Sequence, residues 1–245
     1  MSGQKLLLTL ALSILLTANA LAGPAAQCHL KVGWEDWKPY IYLKDGKLQG
    51  PEFEYLQRLS AQTGCQLQFI QQPWIRSLIS LKTHSLDMLY GASLTSERMT
   101  YAQFSEPYRI EHFVFMARGS DAAEDIHLRA WLAGKRSDNT PRVIGLIHGF
   151  NYGRQLEPIV RNAQARHHIY EVTRDDQLQA MLSLNRIDGF IVEKSVAEQM
   201  LAQTPQLNMR SIVEAGREPM HLMFSKKIPP DIVNRFNAAI SDLGR

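Results

Sequence analysis

A chain of 245 residues with a formal net charge of +3 has room for one large domain or for two small lobes. Subtracting Lys5, which belongs to a leader described next, from +3 leaves +2; the remaining basic residues are scattered, so neither nucleic acid nor an anionic membrane is expected as a partner. Two cysteines cannot complete a four-ligand zinc site, and the adjacent His167 and His168 lack the i, i+4 spacing of a helical metal pair, so no metal or other cofactor is expected.

Lys5 is the sole charge ahead of an apolar run over residues 6–16, and Ala20 and Ala22 stand at the minus-three and minus-one positions of an A-x-A cleavage site. This is the layout of a secretory signal peptide over residues 1–22. Residues 6–22 are almost long enough to span a bilayer, but the cleavage site and the lack of flanking charge after it favour removal near Ala22. A periplasmic, exported protein is expected. In that oxidising compartment Cys28 and Cys65 are expected to form a disulfide.

From there the apolar pattern alternates between the period of a strand and that of a helix. Residues 29–34 predict a strand, 52–62 a helix with Phe53, Leu56 and Leu59 on one face, 65–70 a strand, 74–82 a helix and 86–93 a strand. After a polar connection over 118–125 the order begins again. A strand is expected over 142–149, a helix from near Tyr152, a strand over 169–172, a helix over 175–184 and a strand over 187–193. A local repeat supports two similar halves: "LKTHSLD" (81–87) and "LSLNRID" (182–188) each set a leucine six residues before an aspartate that opens an apolar strand. A strand over 218–226 and a helix opened by Pro229 and Pro230 are too little for a third lobe. The expected fold is α/β, with two lobes that are each a mainly parallel doubly wound sheet. Lobe 1 takes residues 23–117 and, on return, 221–245; lobe 2 takes 118–220. Hinge strands are expected near residues 115–118 and 221–224. The strands that begin at Cys28 and Cys65 should then lie side by side, about 4.8 Å apart, within reach of a disulfide.

The segment "GASLTSERMTYAQFSEPY" (91–108) carries the chemistry. It begins at the carboxyl end of a strand, where open α/β sheets bind ligands. Arg98 in the following turn offers a planar fork suited to a carboxylate, and Ser93 with backbone N–H groups adds donors. Trp37 and Trp74 each follow a strand by a few residues and could clasp a ligand side chain. Glu193 ends an otherwise apolar strand, where an unpaired carboxylate is costly. Tyr40 and Arg76 are weaker candidates; Arg76 faces either the cleft or the solvent. Asp188 opens its strand and is expected to be structural. Phe104, Pro107 and Tyr108 are expected to pack and to end the turn.

These residues, with "VGWEDWKPYIYLKDGKLQGPEFEYL" and "LNRIDGFIVEKSVAEQML", resemble the family 3 bacterial extracellular solute-binding proteins. That group binds polar amino acids and has a type II periplasmic binding fold. The Thr-x-x-Arg stretch followed by Phe-Ser-x-Pro-Tyr is its most specific mark. The resemblance implies that Arg98 and Ser93 hold a ligand carboxylate, that the Gly91 carbonyl meets the ligand ammonium, and that Trp37 and Trp74 flank its side chain. It places Glu193 where the family usually has an aspartate for the α-ammonium. Gly149-Phe150-Asn151 stands where family members often carry Gly-Thr-Thr; backbone N–H groups of Phe150 and Asn151 at a helix start could still cap the anion. The implied function is capture of a small carboxylate-bearing ligand, an amino acid or derivative, by a monomer that serves an ABC permease or a membrane sensor. An alternative is a periplasmic dehydratase of the cyclohexadienyl (arogenate/prephenate) type with Glu193 as general acid. No Ser-His-Asp, Cys-His or metal set accompanies it.

Overall fold

The computed structural model describes residues 28–119, 125–162 and 168–244; the leader, His167 and most of the polar connection lie outside the described residues. The chain runs β1 (Cys28–Trp34), β2 (Tyr42–Lys44), β3 (Lys47–Gln49), α1 (Pro51–Thr63), β4 (Cys65–Gln71), α2 (Trp74–Lys82), β5 (Met88–Ser93), α3 (Ser96–Met99) and β6 (Ala102–Arg118). It continues through α4 (Leu128–Ala133), β7 (Ile144–Ile147), α5 (Glu157–Val160), β8 (Ile169–Val172), α6 (Asp175–Ser183), β9 (Gly189–Glu193), α7 (Lys194–Gln203) and β10 (Leu207–Ser211). β11 (Arg217–Ser225) and α8 (Pro230–Leu243) complete it. Among the described residues no helix is long and apolar enough to cross a membrane.

The strand order is β4-β1-β5-β11-β6-β9-β7-β8, with β10 also on β6. β6 has 17 residues and belongs to both lobes. Its residues 102–112 pair with β11, whereas 113–117 pair with β9 and 114–118 with β10, all antiparallel. In the first lobe β4, β1 and β5 are parallel; in the second, β9, β7 and β8 are parallel. Each lobe is thus a parallel set closed on one side by long antiparallel strands that turn back. These pairings also place the two segments expected as hinges inside the lobes. Residues 115–118 lie between β9 and β10, and 221–224 between β5 and β6.

Each lobe has an apolar cluster on both faces of its sheet, as a doubly wound sheet requires. In the first lobe Leu30, Val32, Met88 and Phe224 pack with Leu56, Leu59 and Phe236 of α1 and α8, while Leu81, Leu89, Ala92 and Met223 form the opposite face with α2. The period of two along β5 breaks at Gly91. Met88 and Tyr90 face one cluster, but Leu89 and Ala92 both face the other. Gly91 has φ +58°, a left-handed conformation that a side chain disfavours, and a Cβ there would stand 2.8 Å from Arg109 Nη2.

The local repeat has a structural counterpart. Asp87 Oδ2 accepts the Lys31 N–H at 2.7 Å, and Asp188 Oδ2 accepts the Val143 N–H at 2.7 Å. Each aspartate ties the head of its strand to the neighbouring strand. Three residues before each, His84 and Asn185 adopt positive φ, and the leucines Leu81 and Leu182 are fully buried. Asp188 also receives Arg136 Nε at 2.8 Å, so its expected structural role holds. Cys28 and Cys65 are direct partners in the β1–β4 register and form a disulfide with Cα atoms 4.4 Å apart.

Two expectations fail locally. Phe104, Pro107 and Tyr108 do not end a turn; they lie in the body of β6. Pro107, which has no N–H to give a ladder, stands opposite His221 at a register shift. The turn is instead closed by α3, where the Thr95 side chain caps the Arg98 N–H at 3.1 Å. The helix expected from near Tyr152 begins only at Glu157. Gly149 and Gly153 have φ +82° and +88°, and the Asn151 Oδ1 accepts the Gly153 N–H at 3.1 Å; such a side-chain turn competes with helix.

Candidate functional site

The carboxyl ends of β1, β4 and β5 open onto a cleft faced on the other side by the loop after β7. A pocket lies there, and its walls include Trp37, Trp74, Gly91, Ser93, Arg98, Phe150 and Asn151. Seven of the eight ligand-contact residues expected from sequence therefore meet in one place. The eighth does not: Glu193 lines a smaller recess that shares Trp37, Glu111 and Phe150 with the main pocket.

Arg98 is the organising charge. It is 6% exposed, and among the described residues it has no carboxylate within ion-pair distance. Nη1 donates to the Ser93 carbonyl of the first lobe at 3.0 Å, and Nη2 to the Gly149 carbonyl of the second at 3.0 Å. Its guanidinium lies 5.5 Å from the Trp74 ring centroid, and the Trp74 indole N–H donates to the same Gly149 carbonyl at 3.0 Å. Burial works against the charged form and lowers the Arg98 pKa. Ser93 Oγ adds a long bond of 3.5 Å to the Asn151 carbonyl. No helix starts at this loop, and the Phe150 N–H is bound to the Ile147 carbonyl at 3.2 Å, so that N–H is not free to cap an anion.

The Trp37 side of the pocket rests on a buried ionic network. Arg109 pairs with Glu52 at 3.0 Å and with Glu111 at 2.7 Å. It lies 5.2 Å from the Trp37 ring centroid and 4.6 Å from that of Tyr40, and these two rings stack at 4.5 Å. Glu52 accepts the Tyr108 hydroxyl, which itself accepts the Gly91 N–H at 2.8 Å. Tyr108 thereby fixes the pocket wall at Gly91, a role beyond packing. Burial pushes the Glu111 carboxyl up to about 7; Arg109 opposes the rise and Glu193 adds to it. One guanidinium serves two carboxylates here.

Glu193 is the N-cap of α7. Its Oε2 accepts the N–H groups of Ser195 at 2.6 Å and Val196 at 3.3 Å. The cost of a carboxylate at the end of an apolar strand is thus offset by the helix that follows. Tyr40 joins the lobes through its hydroxyl, 3.2 Å from Ser195 Oγ. Arg76 is exposed and does not line the pocket.

Sequence reading missed Glu35, Gln72, Ser77, Tyr90 and Glu111, all in the pocket wall. The signal was present for two of them: Glu35 and Gln72 are the first residues past the ends of β1 and β4, where strand-end ligation is expected. Arg109 and Glu111 also stand two apart on one face of a strand, a charged pair with an apolar residue between.

A sequence profile described as bacterial extracellular solute-binding proteins, family 3, matches residues 30–245. The L-cystine-binding protein TcyJ of Escherichia coli is 26% identical over 179 residues, which cover 71% of this chain and 62% of that protein; the match spans less than two thirds of the relative. The fold of holo ArgBP from T. maritima superposes with a TM-score of 0.73 at 17% identity, covering 88% of this chain and 90% of that one. An amino acid ABC transporter substrate-binding protein, AbpA from Streptococcus pneumoniae, bound to L-arginine, gives 0.72 at 19%, covering 88% of each. At these identities the likeness is one of fold, the two-lobed periplasmic binding arrangement.

Proposed function

The chain belongs to the bacterial extracellular solute-binding proteins of family 3, and from that premise we propose that it captures a carboxylate-bearing amino acid or derivative between its lobes. The family is one of solute-binding proteins, and that class, rather than an enzyme, is the one to which the chain is assigned. The observation that carries the ligand reading is Arg98, a buried cation in the cleft with no anionic partner among the described residues. A buried charge calls for a counter-charge, and a planar fork beside the Ser93 hydroxyl suits a carboxylate. The ligand ammonium would lie near the Gly91 carbonyl and against the Glu111 carboxyl, whose ionised form a nearby cation favours. Glu193, held as a helix cap one recess away, is a weaker partner than its strand-end position suggested.

Hydrogen bonds from Arg98, Trp74 and Ser93 to the Gly149–Asn151 loop join the lobes, which supports opening and closing about the ligand. The two crossings would lie where β6 changes partners, near Glu111–Phe113, and between β10 and β11. Delivery to an ABC permease or a sensor in the periplasm completes the proposal. The relatives' amino acids, arginine and cystine, set the first compounds to try. A thermal-shift series tests the carboxylate role: amino acids should raise the melting temperature, and their decarboxylated amines should not. Equal shifts from both sets would contradict it.

A further inference from the structure

We propose that Tyr108 and Ser105 of β6, with Glu52 behind them, are positioning residues that set the contacts of the ligand ammonium. The inference rests on the ligand reading above, in which the Gly91 carbonyl and Glu111 meet that ammonium, and it adds what holds the two in place.

Gly91 sits in a bulge. β5 and β11 pair at Ala92 with His221 and again at Leu89 with Met223, so Tyr90 and Gly91 stand opposite Leu222 alone. On its other side β11 pairs His221 with Pro107 and Met223 with Phe104, so Leu222 also faces Ser105 and Glu106. A bulge leaves its extra residue unpaired and bends the strand, and the left-handed Gly91 suits that place. The N–H groups of Gly91 and Leu222 therefore need acceptors from outside the ladder, because a buried N–H without one is costly. Both acceptors come from β6. The Tyr108 hydroxyl takes the Gly91 N–H at 2.8 Å, and the Ser105 hydroxyl takes the Leu222 N–H at 2.9 Å. Apolar side chains at these two positions could pack, but they could not accept.

The direction of the Tyr108 bond is set from behind. Its single proton goes to Glu52 Oε1, and a carboxylate accepts without donating, so the phenol oxygen is left to accept from Gly91. With its N–H held and Ala92 back in register with β11, Gly91 is fixed on both sides. Glu52 also pairs with Arg109 at 3.0 Å, and Arg109 with Glu111 at 2.7 Å. Both expected ammonium contacts thus hang on one carboxylate in the first turn of α1. Glu52, Ser105 and Tyr108 are all buried and stand behind the pocket wall rather than in it, so each acts only through the groups it holds.

The test is a pair of measurements on wild-type protein and Tyr108→Phe, which keeps the ring stacked on Tyr55 and removes the acceptor. Hydrogen exchange read by NMR should be about tenfold faster at the Gly91 amide in the variant, and changed less than about twofold at Met88, which is paired on both sides. Calorimetric titration then uses matched pairs in which hydrogen replaces the α-amino group: L-arginine and δ-guanidinovalerate, L-glutamine and glutaramate, L-leucine and isocaproate. In wild type at least one amino acid should bind about tenfold or more tightly than its analogue, the range of a charge-assisted bond. Tyr108→Phe should weaken that amino acid about fivefold and its analogue less than about twofold, a difference that loss of packing alone would not produce. The proposal is overturned if Gly91 exchange is unchanged, or if both members of the pair weaken alike. Should Tyr108→Phe not fold, Ser105→Ala decides. It should quicken exchange at Leu222 and weaken the amino acid about threefold more than the analogue; equal weakening overturns the proposal. Analogues that match their amino acids in wild type also overturn it, while leaving the carboxylate reading intact. A wild type that binds none of these compounds overturns both.

Discussion

At the scale of single residues, the site shows how position on a strand differs from function in a cleft. Glu193 stood out because it ends an apolar strand, yet its carboxylate caps α7. Glu111 drew no notice within "YRIEHF", although it lines the pocket and pairs with Arg109. A cap and a ligand contact cannot be told apart in the sequence, because both call for an acid at a strand end. The two variants separate them. Glu111→Gln should weaken an amino acid about tenfold while a carboxylate without an amine is little affected. Glu193→Ala should lower folding stability by about 1 kcal/mol, as loss of an N-cap does. Denaturation and calorimetry on the same two proteins would reverse the assignment if the effects exchange places.

The buried acids also set a pH dependence. Glu35, Glu111 and Asp175 have folded-state values raised to about 7, above the unfolded carboxylate range. Between about pH 4.5 and 7 the folded protein therefore binds more protons than the unfolded chain, and stability falls as pH rises through that window. The acids held low, Asp138, Glu171 and Asp176, act with the opposite sign below it. Urea denaturation of ligand-free protein should give greater stability at pH 5 than at pH 7. Glu111→Gln should flatten the slope; a slope unchanged in that variant would remove Glu111 from its cause.

At the scale of elements, most of the fold could be read from periodicity. The α2 helix lies where expected, and the repeated leucine-to-aspartate spacing marked two equivalent corners, each with an aspartate bonded to the next strand's N–H. What was lost were places where tertiary pairing overrides local pattern. Phe104 to Tyr108, with a proline and two polar residues, resembles a turn, but the partner β11 holds it extended through a bulge. The loop at 148–156 looked like a helix start, but its glycines at positive φ keep it open. The β1–β4 disulfide was accessible because both cysteines head parallel neighbours. It closes a span of 37 residues, worth about 4 kcal/mol on the chain-entropy account. Cys28→Ser with Cys65→Ser should lower stability by an amount of that order in chemical denaturation, and a loss below about 1 kcal/mol would show that the bridge constrains little.

At the scale of the whole molecule, β6 is the strand on which both lobes are hung, and Arg98 is the side chain that reaches from one to the other. Its two donors meet Ser93 in the first lobe and Gly149 in the second, so a ligand carboxylate held there would join recognition to closure. The alternating strands and helices of each lobe's parallel set were legible from the sequence, whereas β2, β3, α4, α7, β10 and most of β6 were not; nor was the exchange of partners along β6, because a strand carries no local mark of which lobe it pairs with. Small-angle scattering should show a smaller radius of gyration with a bound amino acid than without, since the ligand supplies contacts to both lobes. An unchanged radius would mean a cleft that does not close.

The central claim is that Arg98 holds the ligand carboxylate. Calorimetric titration of wild-type and Arg98→Ala protein, with the amino acid that most raises the melting temperature, tests it directly. The account predicts saturable binding by the wild type and a loss of roughly 2 to 5 kcal/mol in the variant, with the circular dichroism spectrum unchanged. Affinity of a folded Arg98→Ala protein within about threefold of wild type, far short of one buried charge-assisted contact, would contradict it.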